Sequence, residues 1–147
     1  MGGPYILALD IGTMGGRAAG LAADGREVAF AYREYPIAAP RPGWAEQEGD
    51  AWWTAARDAI REVLGRGPIG PGDIAGIVGC GQMHSVLLLD RSGAPIRPAI
   101  LWLDQRSTAE CMELTRRVGA ERLFRITGTP AANTFSAPKL MWLASHE

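Results

Sequence analysis

Three short segments collect side chains that can do chemistry. The first is Asp10-Ile11-Gly12-Thr13, followed at once by Gly15, Gly16 and Arg17. Glycines let main-chain N–H groups converge on a phosphate, the Thr13 hydroxyl adds a donor, Arg17 neutralises charge and Asp10 can hold a hydrated Mg²⁺. The parts suit a nucleotide. They form neither a Walker loop nor a dinucleotide fingerprint, because no Lys-Ser/Thr follows and no helix begins at the glycines. The competing reading is a tight hairpin whose Asp10 accepts N–H bonds from the turn.

The second segment, Gln82-Met83-His84, lies just past a strand of the kind whose carboxyl end borders ligands in open α/β sheets. Gln and His match polyol hydroxyls, while the plain alternative has His84 satisfying loop backbone. The third, Trp102-Leu103-Asp104-Gln105-Arg106, puts an aromatic face, a carboxylate and a guanidinium together, a trio able to stack on a sugar and fix its hydroxyls. Its alternative is a core Trp102 with Asp104 and Arg106 as a surface pair ahead of a helix cap. The remaining chemistry-bearing residues read more plainly: Trp52 and Trp53 as helix packing, Lys139 as a solvated cation, Cys80 and Cys111 as small buried thiols in a reducing compartment. A Cys80/His84 nucleophilic pair lacks any sign of an activated thiolate. With His84 and His146 the sole histidines, a four-ligand zinc site is out of reach.

The elements that position these segments follow from pattern. Tyr5 to Asp10 is a nearly continuous apolar run, as in a strand buried on both faces. Arg17 to Ala22 and Glu27 to Tyr32 complete a meander around the Asp24-Gly25 hairpin signal. Pro36, Pro40, Pro42 and Gly43 make residues 35–44 a surface loop. Asp50 caps a helix over 51–64, where Ala55, Ala59 and Val63 recur at helical spacing and Gly65 stops it. Ile74 to Cys80 is a further buried strand, parallel to an earlier one by strand-helix-strand connectivity. Val86–Asp90 and Ile96–Trp102 form a second hairpin. Ser107-Thr108-Ala109-Glu110 has capping-box spacing for a helix ending at Gly119, and Ser136 caps a last helix with an early proline. Because that helix is reached just before Glu147, the architecture is expected to be incomplete at the C-terminus.

Composition bounds the rest. The 147 residues suffice for one ordinary domain, and 47% hydrophobic with 21% charged residues is the balance of a globular chain rather than a disordered one. Fifteen basic against sixteen acidic residues give a net charge of -1 with no basic run, which argues against nucleic acid or anionic lipid and for a small neutral or anionic ligand. No apolar stretch reaches the roughly 18 residues that cross a bilayer, and Met1-Gly2-Gly3 carries no basic leader, so a cytoplasmic location is expected.

Taken in order, the motifs resemble the FGGY family of carbohydrate kinases, and within it the xylulokinases. The matching segments are Leu9-Asp10-Ile11-Gly12-Thr13, Arg41-Pro42-Gly43-Trp44-Ala45-Glu46-Gln47-Glu48 with Trp52-Trp53, Gly81-Gln82-Met83-His84, Ile100-Leu101-Trp102 with Asp104 and Arg106, Thr127-Gly128 with Pro130, and Ala137-Pro138-Lys139-Leu140-Met141-Trp142-Leu143. The resemblance spans Tyr5 to Glu147. It implies an actin-like (ribonuclease H-like) ATPase domain, a mixed sheet with flanking helices, seen as a partial N-terminal domain with no second domain in this chain. It further implies ATP with Mg²⁺ and phosphorylation of a ketopentose, D-xylulose first. Asp10 matches the family's Mg²⁺/phosphate aspartate, and Gly12, Thr13 and Arg17 its phosphate loop. Gln82, Met83, His84, Trp102, Asp104 and Arg106 match the sugar side. The Gln-Met-His segment is the xylulokinase-like feature, since glycerol kinases carry a different polar pair there. Met14 stands where the family usually has Ser or Thr, and Leu103 where Asn is common. The catalytic base and adenine site are expected in segments beyond Glu147, so the isolated chain is expected to be inactive. A homodimer is compatible with the resemblance. Alternatives are a family kinase for gluconate or ribulose, and a non-catalytic sugar- or nucleotide-binding fragment.

Overall fold

The structure, a computed structural model, describes residues 4–66 and 69–147; the leader reading at Met1, Gly2 and Gly3 lies outside them. The chain forms two compact units. The first holds the described residues up to Pro36 together with Gly49–Gln82, and the second holds Ile37–Glu48 with Met83–Glu147.

The first unit is built on β1 (Tyr5–Ile11), β2 (Gly15–Leu21) and β3 (Glu27–Glu34), the meander that the Asp24-Gly25 turn predicts, with Gly25 at φ 85. The order is β3-β2-β1-β5, where β5 spans Ile74–Gly81 and runs parallel to β1 while the other pairs are antiparallel. In register, Asp10 sits opposite Arg17 of β2 and Cys80 of β5. The helix Gly49–Arg66, α1, packs on β2 and β3. Ala59 and Val63 reach Leu7, Ala18 and Ala31. Alanines on both sides bring helix and sheet close, and each fully buried Leu or Val side chain contributes roughly 1.5–3 kcal/mol.

Among the described residues of this unit, α1 covers one face of the sheet. Ile6, Phe30 and Val78 stand exposed, and β5 forms the sheet edge with Ile77 and Cys80 also exposed. The expectations of a β1 buried on both faces, a buried β5 and a buried Cys80 thiol are therefore corrected. Apolar, β-branched composition reports strand propensity, and burial depends on what packs above the strand. The helix continues through Gly65 to Arg66 rather than stopping at it, and Asp50 lies inside its first turn. Trp53 points into solvent instead of packing.

The second unit holds the short pair β4 (Glu46–Gln47) and β6 (Ala99–Ile100), antiparallel, and three helices, α2 (Thr108–Val118), α3 (Ala120–Thr127) and α4 (Ser136–His146). Val86, Ile100, Trp142 and Leu143 form its apolar cluster, with Trp44 and Leu88 against it. The expected second hairpin is present only as isolated bridges, Val86 to Ile100 and Leu89 to Pro95. Pro95 and Pro98 remove two ladder donors, which limits regular strand to two residues. Gly119, at φ 85, ends α2 as expected, but α3 begins at once behind it, an element the spacing did not reveal.

Two caps also differ. The Ser107 hydroxyl donates to the Asn133 side-chain oxygen at 3.0 Å rather than capping α2, and Glu110 Oε2 is buried without a hydrogen-bond partner, so no capping box forms. Phe135, not Ser136, precedes α4, and the Ser136 hydroxyl donates to the His84 carbonyl at 3.4 Å. A side chain with capping chemistry is diverted wherever a tertiary acceptor lies closer.

Candidate functional site

In the first unit, the turn joining β1 to β2 is tight. The Gly12 amide donates to the Gly15 carbonyl at 3.0 Å, so what Gly12 contributes is the turn itself. Two tyrosines missed in the sequence brace this turn. Tyr35 Oη donates to the Gly12 carbonyl at 2.5 Å and Tyr32 Oη to the Met14 carbonyl at 3.1 Å. Burial, aided by the Asp10 charge, pushes the Tyr35 phenol up to about 12, which keeps it a donor. Gly15 gives the Tyr32 ring its room: a Cβ there would come within 2.5 Å of it. The exposed Met14 side chain offers no hydroxyl.

Asp10 and Arg17 lie on the uncovered sheet face, Nη1 to Oδ2 at 3.5 Å, with both side chains partly open to solvent. The Arg17 guanidinium also stands 5.6 Å from the Tyr32 ring centroid. The Asp10 carboxylate faces Arg17 across the β1–β2 pairing. At the same end of the sheet the Gln82 amide donates to the Ile11 carbonyl at 2.8 Å, extending the β1–β5 pairing by one bond.

In the second unit, His84 adopts φ 65, a conformation non-glycine residues rarely hold, and Met83 beside it is 72% exposed. The His84 ring stands edge-to-face on Phe135, centroids 5.0 Å apart. Trp102 is 41% exposed, not core. Its backbone is held on both sides: the amide donates to Ser85 Oγ at 3.1 Å, and the carbonyl accepts from Thr134 Oγ1 at 3.1 Å. A hollow of about 460 Å³ opens beside His84, bordered by Phe135, Leu123, Thr127, Pro130 and Pro138.

Asp104 and Arg106 are neither a surface pair nor open to a sugar. The Asp104 residue is 0% exposed and the Arg106 side chain 1%. Asp104 Oδ2 accepts from the Ala45 amide at 2.6 Å and from Arg106 Nη2 at 2.8 Å; Oδ1 accepts from Arg106 Nε at 2.9 Å. Arg106 Nη2 also meets Glu46 Oε1 at 2.7 Å, and Arg97 bridges Glu46 to Glu147. Burial opposes the Arg106 charge, but hydrogen bonds to Asp104 and Glu46 outweigh it and raise its pKa. Nη1 has no hydrogen-bond partner; the guanidinium carbon lies 3.6 Å from the Trp44 ring centroid and 5.0 Å from that of Trp142, so aromatic faces replace the missing acceptor. Lys139, expected in solvent, is fully buried with its ammonium on the Asn133 carbonyl, and burial lowers its pKa.

The first unit thus offers one acidic, one basic and several main-chain groups at a strand end, and the second an imidazole, a thioether and an indole on loops. The description FGGY family of carbohydrate kinases, N-terminal domain, matches residues 5–147. The chain belongs to this family. Among FGGY relatives, a xylulose kinase of Klebsiella pneumoniae is 39% identical over 150 residues, covering 96% of this chain and 28% of that protein. A Streptomyces coelicolor protein named Glycerol kinase 2 is 37% identical over 142 residues, again 96% of this chain and 28% of its own length. The crystal structure of xylulose kinase from Rhodospirillum rubrum superposes with a TM-score of 0.91 at 34% identity, over 97% of this chain and 29% of that one. The chain spans less than a third of the length of the FGGY relatives it matches. The fold is the actin-like ATPase fold of the FGGY kinases, mixed α/β with a mixed sheet.

Proposed function

We propose that the protein carrying this chain transfers a phosphoryl group from ATP to a hydroxyl of a small polyol, with D-xylulose, giving D-xylulose 5-phosphate, as the first substrate. The observation that carries the reading is Gly81-Gln82-Met83-His84 within a chain of this family: the exposed Met83 and His84 offer a thioether and an imidazole to a polyol. Glycerol is the second reading, supported by a glycerol kinase at 37% identity beside a xylulose kinase at 39%. Gluconate and ribulose are further family possibilities. Use of ATP goes with a cytoplasmic location, and no helix among the described residues is long and apolar enough to cross a membrane.

The donor set at Asp10 suits Mg²⁺. Among the described residues no cluster of three or more His, Cys, Asp or Glu side chains stands ready to cage a metal. A lone, partly exposed carboxylate fits an ion that keeps most of its waters and shares phosphate oxygens. When bound, Mg²⁺ would offset charge on the phosphoryl group being transferred. Asp10 would hold the hydrated ion, Thr13 and Arg17 would contact phosphate oxygens, and Gly12 would set the turn. Gln82, Met83, His84 and Trp102 would orient the polyol hydroxyls and its C–H face. Asp104 and Arg106, being buried, are given to the framework behind Trp102.

The test is ADP release by a kinase-length protein that includes this chain, assayed across D-xylulose, glycerol, D-gluconate and D-ribulose. D-Xylulose should show the highest kcat/KM. A preference for glycerol would sink the ketopentose assignment, and absence of turnover on all four would sink the kinase reading.

A further inference from the structure

Lys139 is the largest fully buried side chain among the described residues, and the proposed chemistry does not use it. Its ammonium is bonded to the main-chain oxygen of Asn133. Leaving a lysine charge in an interior is costly unless something is gained by holding it there. What it holds is a junction. The Asn133 side-chain Nδ2 donates to Gln105 Oε1 at 3.1 Å and to Thr108 Oγ1 at 2.9 Å, while Asn133 Oδ1 accepts from Ser107 Oγ at 3.0 Å. Asn133 is thereby tied to the start of α2 by its side chain and to α4 by its carbonyl.

The two residues that follow Asn133 are those that touch the exposed aromatic wall. Thr134 Oγ1 donates to the Trp102 carbonyl, and the Phe135 ring meets the His84 ring. Ser136 then bonds the His84 carbonyl. His84 stands at positive φ, and only such external contacts keep a non-glycine residue there.

We propose that Lys139 is a positioning residue: by fixing the Asn133 carbonyl it sets the Thr134-Phe135 segment that holds Trp102 and His84 in place for the substrate. The substrate half of this inference rests on the polyol-kinase reading; the positioning half does not, and the two are measured separately.

The positioning half is tested on the 147-residue chain labelled with 5-fluorotryptophan. Five fluorine signals are assigned by replacing each tryptophan with Phe, Trp52 and Trp53 reporting on the first unit and Trp44 and Trp142 on the apolar cluster of the second. In Lys139→Met the Trp102 signal should shift or broaden by more than its linewidth while Trp44 keeps its position. An unmoved Trp102 overturns the inference. If Lys139→Met instead collapses every second-unit signal, Thr134→Val decides: the hydroxyl is lost with little change in volume, so Trp102 alone should move, and a Trp102 unmoved in that variant overturns the inference.

The substrate half is read in the kinase-length protein. There Lys139→Met should raise polyol KM about tenfold, the worth of one well-placed hydrogen bond, with kcat and the KM for ATP little changed. Equal changes for both substrates would overturn it. Absence of turnover in the unsubstituted protein would fall on the kinase reading, while the fluorine result would still stand.

Discussion

Asp10 and Arg17 are register partners across β1 and β2, with Arg17 Nη1 3.5 Å from Asp10 Oδ2 on the uncovered face of the sheet. An ion pair this open to solvent contributes little to stability, a few tenths to about 1 kcal/mol at most. The pair sits at the tip of a strand beside a turn braced by two tyrosine hydroxyls, and the proposed function gives it a phosphate-side role. In the kinase-length protein, Asp10→Asn should lower kcat by about a hundredfold or more, the scale for losing one preorganised electrostatic contact to a transition state. The KM for the polyol should stay nearly constant. Steady-state kinetics check both, and turnover within threefold of the parent would remove Asp10 from the mechanism.

Tyr35 gives a pH signature. Its folded-state pKa, about 12, lies above the ordinary tyrosine value of 10.0, with burial as the largest cause and the Asp10 charge next. The folded state therefore holds the phenolic proton more tightly than the unfolded chain. The associated stability is fully present below pH 10 and is lost as pH rises toward 12. Thermal melting of the chain across that window should show a falling midpoint, and the fall should be shallower in Tyr35→Phe. Tyr35→Phe should also melt lower at neutral pH, because the Gly12 carbonyl loses its donor. Identical pH slopes for the two proteins would show that Tyr35 does not titrate with unfolding.

His84 combines a chemical role with a backbone one, and substitutions separate them. At φ 65, His84→Ala keeps the strained conformation and loses the ring contact with Phe135, whereas His84→Gly relieves strain by about 1 kcal/mol relative to Ala. The glycine variant should therefore be the more stable of the two by denaturant titration. Both should raise the polyol KM by roughly tenfold or more while leaving that for ATP within a factor of about two, since hydroxyl contacts are lost and phosphate contacts are not. A matching rise for ATP would place His84 outside the sugar site.

Local signals carried most of the first unit. The Asp24-Gly25 turn, the spacing of Ala55, Ala59 and Val63, and strand-helix-strand connectivity are short-range features, and the meander, α1 and the parallel β1–β5 pair followed from them. Elements fixed by distant partners were not legible. The β4–β6 pair joins residues over fifty positions apart through two-residue strands, too short for any periodicity. Charge misled in the second unit. Asp104, Arg106 and Lys139 look like solvent-seeking groups until their partners are known, and those partners, Ala45, Glu46, Trp44 and Asn133, come from other segments. For Trp102 the core alternative drawn from its size fails, since the residue is 41% exposed. The motifs at Asp10 and at Gln82 to His84 stand out in the sequence because they sit at strand ends, and the structure keeps them there. The bracing tyrosines were not, because a phenol aimed at a turn carbonyl leaves no pattern in sequence.

Burial of the Asp104–Arg106–Glu46 cluster makes the last expectation a sharp one. Removing one member of a buried ion pair leaves the other without compensation and costs about 3–5 kcal/mol. Asp104→Ala strips acceptors from Arg106 and from the Ala45 amide together, so it should be the most disruptive single change in the second unit. Arg106→Lys keeps the charge but loses the fork that binds both Asp104 oxygens and the flat face laid on Trp44, and it should cost at least half as much. The double variant Asp104→Leu with Arg106→Met removes both charges and fills similar volume, so it should be more stable than Asp104→Ala despite carrying one more substitution. Urea unfolding of the 147-residue chain, followed by the fluorescence of Trp44 and Trp142, supplies all three values. If Asp104→Ala cost less than about 1 kcal/mol, the range of an exposed pair, the two side chains would be accessible in solution. They would then return to consideration as direct contacts to the sugar.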